Sequence, residues 1–118
     1  MPEQYRVVVA YESPYPQARV FPKGSRVKVV KEYQEDPQWP NWFWCVAEGG
    51  TEAWVPGQFL QIKCKIGILK RDYNAIELSV QVGEKLRVHE VVNGFGWAED
   101  QDGAQGWVPM KQLGPESD

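Results

Sequence analysis

Two segments of the chain alternate apolar and polar residues with a period of two. They are "RVKVV" (26–30) and "KLRVHEVV" (85–92), and they place four apolar residues on one side of the chain: Val27, Val29, Leu86 and Val88. This alternation predicts half-buried β-strands. The chain has no stretch longer than about ten residues with the i, i+3, i+4 spacing of an amphipathic helix. We therefore expect an all-β protein whose buried strand faces carry these four side chains.

Residue pairs that favour tight turns separate the apolar runs. They are Gly24-Ser25, Gly49-Gly50, Asn93-Gly94 and Asp102-Gly103. Each pair supplies a residue that tolerates positive φ, as tight hairpins require. The spacing of these turns predicts short antiparallel strands.

The chain also contains an internal repeat. "TEAWVPGQFL" (51–60) matches "AQGWVPMKQL" (104–113), and "FPKGSRVKVV" (21–30) matches "VQVGEKLRVH" (80–89). The anchors are Gly24 with Gly83, Trp44 with Trp97, Trp54 with Trp107, Pro56 with Pro109 and Leu60 with Leu113. The first copy is longer, and the proline- and acid-rich segment 33–41 accounts for the difference.

The repeat predicts two small domains. Each copy spans roughly fifty to sixty residues, enough for a minimal all-β barrel. We place the first domain at residues 1–63 and the second at 64–118, the latter ending in a short polar tail. The linker "KCK" (63–65) is so short that the domains are expected to pack closely.

The motifs of both copies resemble SH3 (Src homology 3) domains, including the variant SH3 domains of bacteria. The first copy carries "VVVAY", "FPKGSRVKVV", "NWFWCVAEGG" and "AWVPGQFL". The second carries "IELSVQVGEKLRV" and "GWAEDQDGAQGWVP". The resemblance implies two tandem SH3-like small barrels.

The resemblance also implies a function, the binding of an extended, proline-containing segment in an aromatic groove. In the first copy "VVVAY" corresponds to the strand that carries two groove tyrosines in the family, so Val9 replaces the first and Tyr11 retains the second. The other groove positions fall on Trp42, Pro56 and Phe59. Rigid aromatic walls suit a polyproline II ligand, because that helix is preformed. The partner is therefore expected to be a protein or proline-rich peptide.

The second copy matches the groove less well. "IGILK" placed on the same strand gives Ile68 and Lys70 at the tyrosine positions, and Gln112 replaces the last tyrosine. Either Phe95 or Trp97 corresponds to the groove tryptophan. We expect this copy to have kept the fold and lost or changed the peptide site.

Further candidate ligand contacts surround the first groove. Trp39 and Trp42 have no convincing tryptophan counterparts in the second copy, and exposed aromatic residues of this kind often mark recognition surfaces. Carboxylates that could pair with a ligand arginine follow from the resemblance: Glu12, Glu35 and Asp36. The repeated residues Trp44, Trp54, Trp97 and Trp107 favour a packing role.

Composition and charge weigh against other functions. The chain has 118 residues and a formal net charge of -3, which disfavours nucleic acid because phosphate binding needs a basic surface. With His89 as its one histidine and two cysteines outside any CxxC pair, it offers no zinc site and no nucleophile-base set. We expect no enzymatic activity, no metal and no cofactor.

The chain also lacks the marks of an exported or membrane protein. "MPEQYRVVVAYES" does not resemble a signal peptide, and no apolar segment approaches spanning length. We expect a cytoplasmic protein that does not bind membranes, with a monomer slightly favoured. Two alternatives to peptide binding stay open: a structural or scaffolding tandem barrel with degenerate grooves, and a Tudor-like reader of a modified side chain.

Overall fold

A computed structural model describes residues 3–116, which form β-strands and two short 3₁₀ turns. The first half of the chain contains β1 (Glu3–Val7), β2 (Val20–Phe21), β3 (Arg26–Glu32), β4 (Trp42–Ala47), β5 (Glu52–Pro56) and β6 (Leu60–Lys63). The second half contains β7 (Ile66–Leu69), β8 (Tyr73–Asn74), β9 (Lys85–Val92), β10 (Phe95–Glu99), β11 (Gln105–Pro109) and β12 (Leu113–Pro115). The 3₁₀ turns, Gly57–Phe59 and Met110–Gln112, follow β5 and β11. The all-β prediction is confirmed. Within the described residues, no helix has the length and apolar character needed to cross a membrane.

The strand faces and turns follow the sequence pattern. The four residues predicted to face inward are buried: Val27, Val29, Leu86 and Val88. Residues at the predicted turns have positive φ: Gly24, Gly50, Asn93, Gly94 and Gly103. Asn93 and Gly94 are the two loop residues between β9 and β10, a combination that suits the twist of a two-residue hairpin.

The chain forms two compact units. One is the continuous segment Ala18–Ala75, and the other combines the chain up to Gln17 with the chain from Ile76 onward. The first unit contains the sheet β5-β4-β3-β7-β6 and the short pair β2-β8. The second contains the sheet β11-β10-β9-β1-β12. We call them the inner unit and the outer unit.

The predicted division between residues 63 and 64 is not the one observed. β7 belongs by sequence to the second copy, yet it pairs with β3 and β6 of the inner unit. β1 belongs to the first copy, yet it pairs with β9 and β12 of the outer unit. Each sheet therefore takes one strand from the other copy.

The short linker explains the exchange of strands. Cys64 and Lys65, with φ of 51° and 67°, are the two turn residues of a hairpin between β6 and β7. A two-residue turn with positive φ at both positions brings the following strand back antiparallel beside the preceding one. β7 thus enters the sheet of the first copy, and "KCK", expected to join two domains, lies inside one unit. The equivalent place in the other sheet is filled by β1.

Each unit has its own apolar core. In the outer unit the buried cluster consists of Val7, Val80, Leu86, Val88, Ala98 and Val108. In the inner unit the largest fully buried side chains are Phe21, Val27, Cys45, Val55, Pro56 and Leu69. The exchanged strands contribute Val7 to one core and Leu69 to the other.

Candidate functional site

The predicted site residues are divided between the two units. Tyr11 and Glu12 lie in the outer unit, whereas the other six lie in the inner unit: Glu35, Asp36, Trp39, Trp42, Pro56 and Phe59. Within the inner unit, strand pairing assigns the tyrosine position to a different residue. Gly67 lies opposite Val27 in the same way that Tyr5 lies opposite Leu86. Counting onward equally from Gly67 and from Tyr5 places Tyr73 where the outer unit has Tyr11.

The predicted groove of the inner unit is closed by its own side chains. Trp42, at the first position of β4 and opposite Pro56, is 5% exposed, so the expectation of an exposed loop tryptophan is corrected. Phe59 is equally buried, and its ring meets the Tyr73 ring edge-on with centroids 5.5 Å apart. The Arg71 guanidinium carbon lies 4.3 Å from the Phe59 ring centroid. A peptide could reach these rings only after these side chains moved.

Polar contacts hold this aromatic cluster in place. The Tyr73 hydroxyl donates a hydrogen bond of 2.9 Å to the carbonyl of Trp54. At the other end, the Gly57 amide donates to the Asn41 carbonyl at 2.9 Å, and a Cβ on Gly57 would overlap the Asn41 side chain. Asn41 has a φ of 65° immediately before β4. The start of β4 is thereby fixed against the 3₁₀ turn.

In the outer unit the corresponding positions form a different set. Phe95 lies opposite Pro109 as Trp42 lies opposite Pro56, which identifies Phe95 rather than Trp97 as the counterpart of Trp42. The Gln112 side-chain amide donates to the carbonyls of Val9 and Ala10, at 3.3 Å and 3.0 Å. The last groove position is thus bonded to the chain's own backbone.

Tyr11 belongs to a polar network of the outer unit. Its hydroxyl donates to Glu77 Oε1 at 2.6 Å, and the Ser13 hydroxyl donates to the same oxygen at 2.9 Å. Burial, and then the hydrogen bond to the Glu77 carboxylate, raise the pKa of Tyr11 above its ordinary value. This arrangement gives Tyr11 a structural function in holding residues 11–15 against Glu77. Glu12 beside it is exposed.

The inner unit carries a second group of aromatic side chains on its surface. Trp44 and Trp54 are cross-strand neighbours whose rings meet at 72° with centroids 5.2 Å apart. Tyr33 meets Trp54 at 83° and 5.3 Å, and Trp39 meets Tyr33 at 45° and 6.1 Å. All four side chains are half-buried. We call these four residues the aromatic face.

Charged groups border the aromatic face. The Lys31 ammonium lies 5.7 Å from the Trp54 ring centroid, and Glu52 Oε1 accepts a hydrogen bond of 3.2 Å from Trp44 Nε1. The Asp36 carboxylate accepts from the Gln38 amide, and the Asp36 carbonyl accepts from the Trp39 amide. Asp36 therefore shapes the loop that presents Trp39. Glu35 is exposed in the same loop.

Sequence reasoning missed four members of these clusters. Tyr33 was not singled out and Trp44 and Trp54 were given a packing role, yet all three line the aromatic face. Tyr73 fills the groove position that was given to Lys70. The signal for Tyr73 was present, because "KRDY" ends in a tyrosine as "VVAY" does. Because "IGILK" was aligned with "VVVAY", Tyr73 was not matched with Tyr11.

Comparison of the chain with protein-family models, with curated proteins and with solved structures finds no match. Across residues 3–116, no group of three or more His, Cys, Asp and Glu side chains is arranged to hold a metal ion.

Proposed function

We propose that the chain is a non-enzymatic module that binds an extended, proline-containing segment of a partner protein on the aromatic face. The observation that carries the proposal is the continuous row of four half-buried rings, Trp39, Tyr33, Trp54 and Trp44, on one side of the inner unit. Such rings offer large, rigid contact area, and a polyproline II segment loses little conformational entropy when it binds them. The proposed ligand surface is therefore the aromatic face instead of the closed groove.

The surroundings of the row support a peptide ligand. Trp39 stands in a loop whose shape is fixed by Asp36, so its ring is presented with little freedom to lose on binding. The Glu52 carboxylate supplies negative charge beside Trp44, and Glu35 is an exposed carboxylate in the loop that carries Trp39. A shallow surface of this size suits an affinity of roughly 10 µM, or about 7 kcal/mol.

The test is an NMR titration of the full chain with a proline-rich peptide that contains no lysine or arginine. We expect the indole N–H signals of Trp39, Trp44 and Trp54 to shift together, and Trp39→Ala to weaken binding about tenfold. Trp44→Ala and Trp97→Ala form a matched pair, because each residue lies opposite a tryptophan in its own unit. Only the first should weaken binding.

The same titration can contradict the proposal in two ways. Shifts confined to residues around Val9 and Gln112 would move the site to the outer unit. The absence of any saturable shift with a set of proline-rich peptides would leave the second candidate, a structural or scaffolding protein. That candidate is favoured by one observation, the filling of the groove positions by Arg71 and Tyr73.

A further inference from the structure

The aromatic face contains a corner as well as a row. The rings of Tyr33 and Trp54 stand almost perpendicular, at 83°, and Trp39 is inclined at 45° to Tyr33. Rings inclined in this way meet edge to face or at a tilt instead of stacking as a flat surface, and each centroid lies within 6.1 Å of a neighbouring centroid. The negative faces of aromatic rings attract cations.

A cation from the chain itself already lies at this corner. The Lys31 ammonium is 5.7 Å from the Trp54 centroid, close to the outer limit of about 6 Å for a cation–π contact. An ammonium with three N–H groups is strongly hydrated, which opposes its transfer onto an aromatic surface. The contact of Lys31 is therefore weak and easily exchanged for that of a less hydrated cation.

The charge around the corner favours a basic partner. Residues 31–36 contain Lys31 as the one basic side chain and three acidic ones, Glu32, Glu35 and Asp36. Glu52 adds a fourth carboxylate beside Trp44. Arg19 also lies near Glu52, since its Nη1 donates to the Glu52 carbonyl at 3.1 Å, so the surplus negative charge comes from the loop residues Glu35 and Asp36 and favours a cationic ligand over an acidic one.

We propose that the corner formed by Tyr33, Trp39 and Trp54 binds a methylated ammonium group of the partner peptide, and that Lys31 is the internal occupant which this group displaces. The inference rests on the proposed peptide-binding function and adds the chemistry of the ligand side chain. Methylation keeps the positive charge and removes the N–H groups, so the cation gives up less hydration when aromatic rings surround it.

The probe for this proposal is tetramethylammonium chloride, titrated into the full chain at constant ionic strength set with sodium chloride. We expect saturable millimolar shifts of the Trp39 and Trp54 indole signals, with ammonium chloride giving much weaker ones. Lys31→Gln should tighten tetramethylammonium binding by about threefold, because it removes the internal competitor. Lys28→Gln removes the same charge from an exposed position of the same strand, so it should change the affinity little.

Trp54→Leu should abolish the saturable shift. Tyr33→Leu, which lies outside the strands, serves the same purpose if Trp54→Leu does not fold. Equal effects of Lys31→Gln and Lys28→Gln, equal binding of ammonium and tetramethylammonium, or shifts centred on Trp97 and Trp107 would each overturn the proposal.

The cation site and the peptide function can fail separately. Binding of the lysine-free proline-rich peptide without any tetramethylammonium binding removes the cation site and leaves the peptide function. Tetramethylammonium binding without peptide binding removes the peptide function and leaves the cation site.

Discussion

Trp54 and Trp107 stand at the same place in the two units, and their surroundings differ. Each lies opposite another tryptophan in a β-hairpin, with nearly identical ring distances of 5.2 Å and 5.3 Å. Trp107 is 4% exposed, whereas Trp54 is half-buried. The same strand pair therefore supplies core in one unit and surface in the other.

The difference arises at the edge of each sheet. In the outer unit the backbone of residues 76–78 forms hydrogen bonds with the backbone of Trp107. The Trp107 amide donates to the Ile76 carbonyl, and the Trp107 carbonyl accepts from the Leu78 amide. In the inner unit the backbone of β5 is bonded by side chains instead. The Arg19 side chain donates to the Glu52 carbonyl, and the Tyr73 hydroxyl donates to the Trp54 carbonyl. Backbone pairing closes the edge of β11 tightly. Contacts through side chains leave the rings beside β5 accessible, which is why we assign the ligand surface to the inner unit.

The largest effect is expected when the chain is cut into fragments, because the strand exchange determines which fragment can fold. A fragment of residues 1–63 lacks β7, the strand that stands between β3 and β6, and keeps β1 without its partner strands. We expect this fragment to be unfolded. A fragment of residues 18–75 keeps the whole sheet and should give a dispersed amide spectrum, although at roughly 60 residues its stability is small. A folded 1–63 fragment together with an unfolded 18–75 fragment would contradict the strand exchange.

The difference between the edges of β11 and β5 predicts that a methyl group at equivalent positions destabilises the outer unit and stabilises the inner unit. A Cβ on Gly106 would lie 2.8 Å from the backbone nitrogen of Leu78, so Gly106→Ala must push residues 77–78 away from β11. We expect a loss of about 2 kcal/mol in the free energy of unfolding, measured by urea denaturation, together with greater exposure of Trp107. Ala53 is the counterpart of Gly106 in the inner unit and is fully buried there.

The matched variant is Ala53→Gly, which introduces glycine where the inner unit has room for a methyl group. It should cost about 1 kcal/mol through lost burial and added chain entropy. If Gly106→Ala proved neutral, residues 76–78 would not hold the edge as closely as the distances indicate.

The sequence predicted local structure well because local rules determine it. The alternation around Val27 and Leu86 and the glycines at the turns are sufficient to locate strands and hairpins. Which strand pairs with which depends on competition between equivalent strands of two similar copies. The hydrophobic periodicity of the sequence does not indicate which of these strands pairs. The turn at Cys64 and Lys65 was the one available signal, and non-glycine residues there concealed it.

The candidate site was predicted in part for a related reason. Trp39 and the acidic loop around Asp36 were identified correctly as features absent from the second copy. Trp42 and Phe59 were placed by analogy, and Phe59 is covered by Arg71 and Tyr73, which follow β7 in the second copy. A site built from residues of both copies could not be assembled while each copy was treated as a separate domain.

The smallest expected effect is on the pH dependence of stability, which is compared for one titrating group in each unit. Burial raises the pKa of the Cys45 thiol in the inner unit to about 12, from an ordinary value of about 9. Between these values the unfolded chain loses this proton and the folded chain keeps it, so stability falls as pH rises. From pH 8 to pH 10 this ionisation should lower the free energy of unfolding by about 1.4 kcal/mol, and Cys45→Ala should remove that part of the pH dependence. The pKa of Tyr11 in the outer unit is raised from 10, so Tyr11→Phe should change the slope mainly above pH 10. Cys64→Ala, at the exposed turn, is the control for removal of a thiol outside the core. Urea denaturation at half-unit steps from pH 8 to pH 11 measures all three, and identical slopes for Cys45→Ala and wild type would show that the thiol ionises without unfolding.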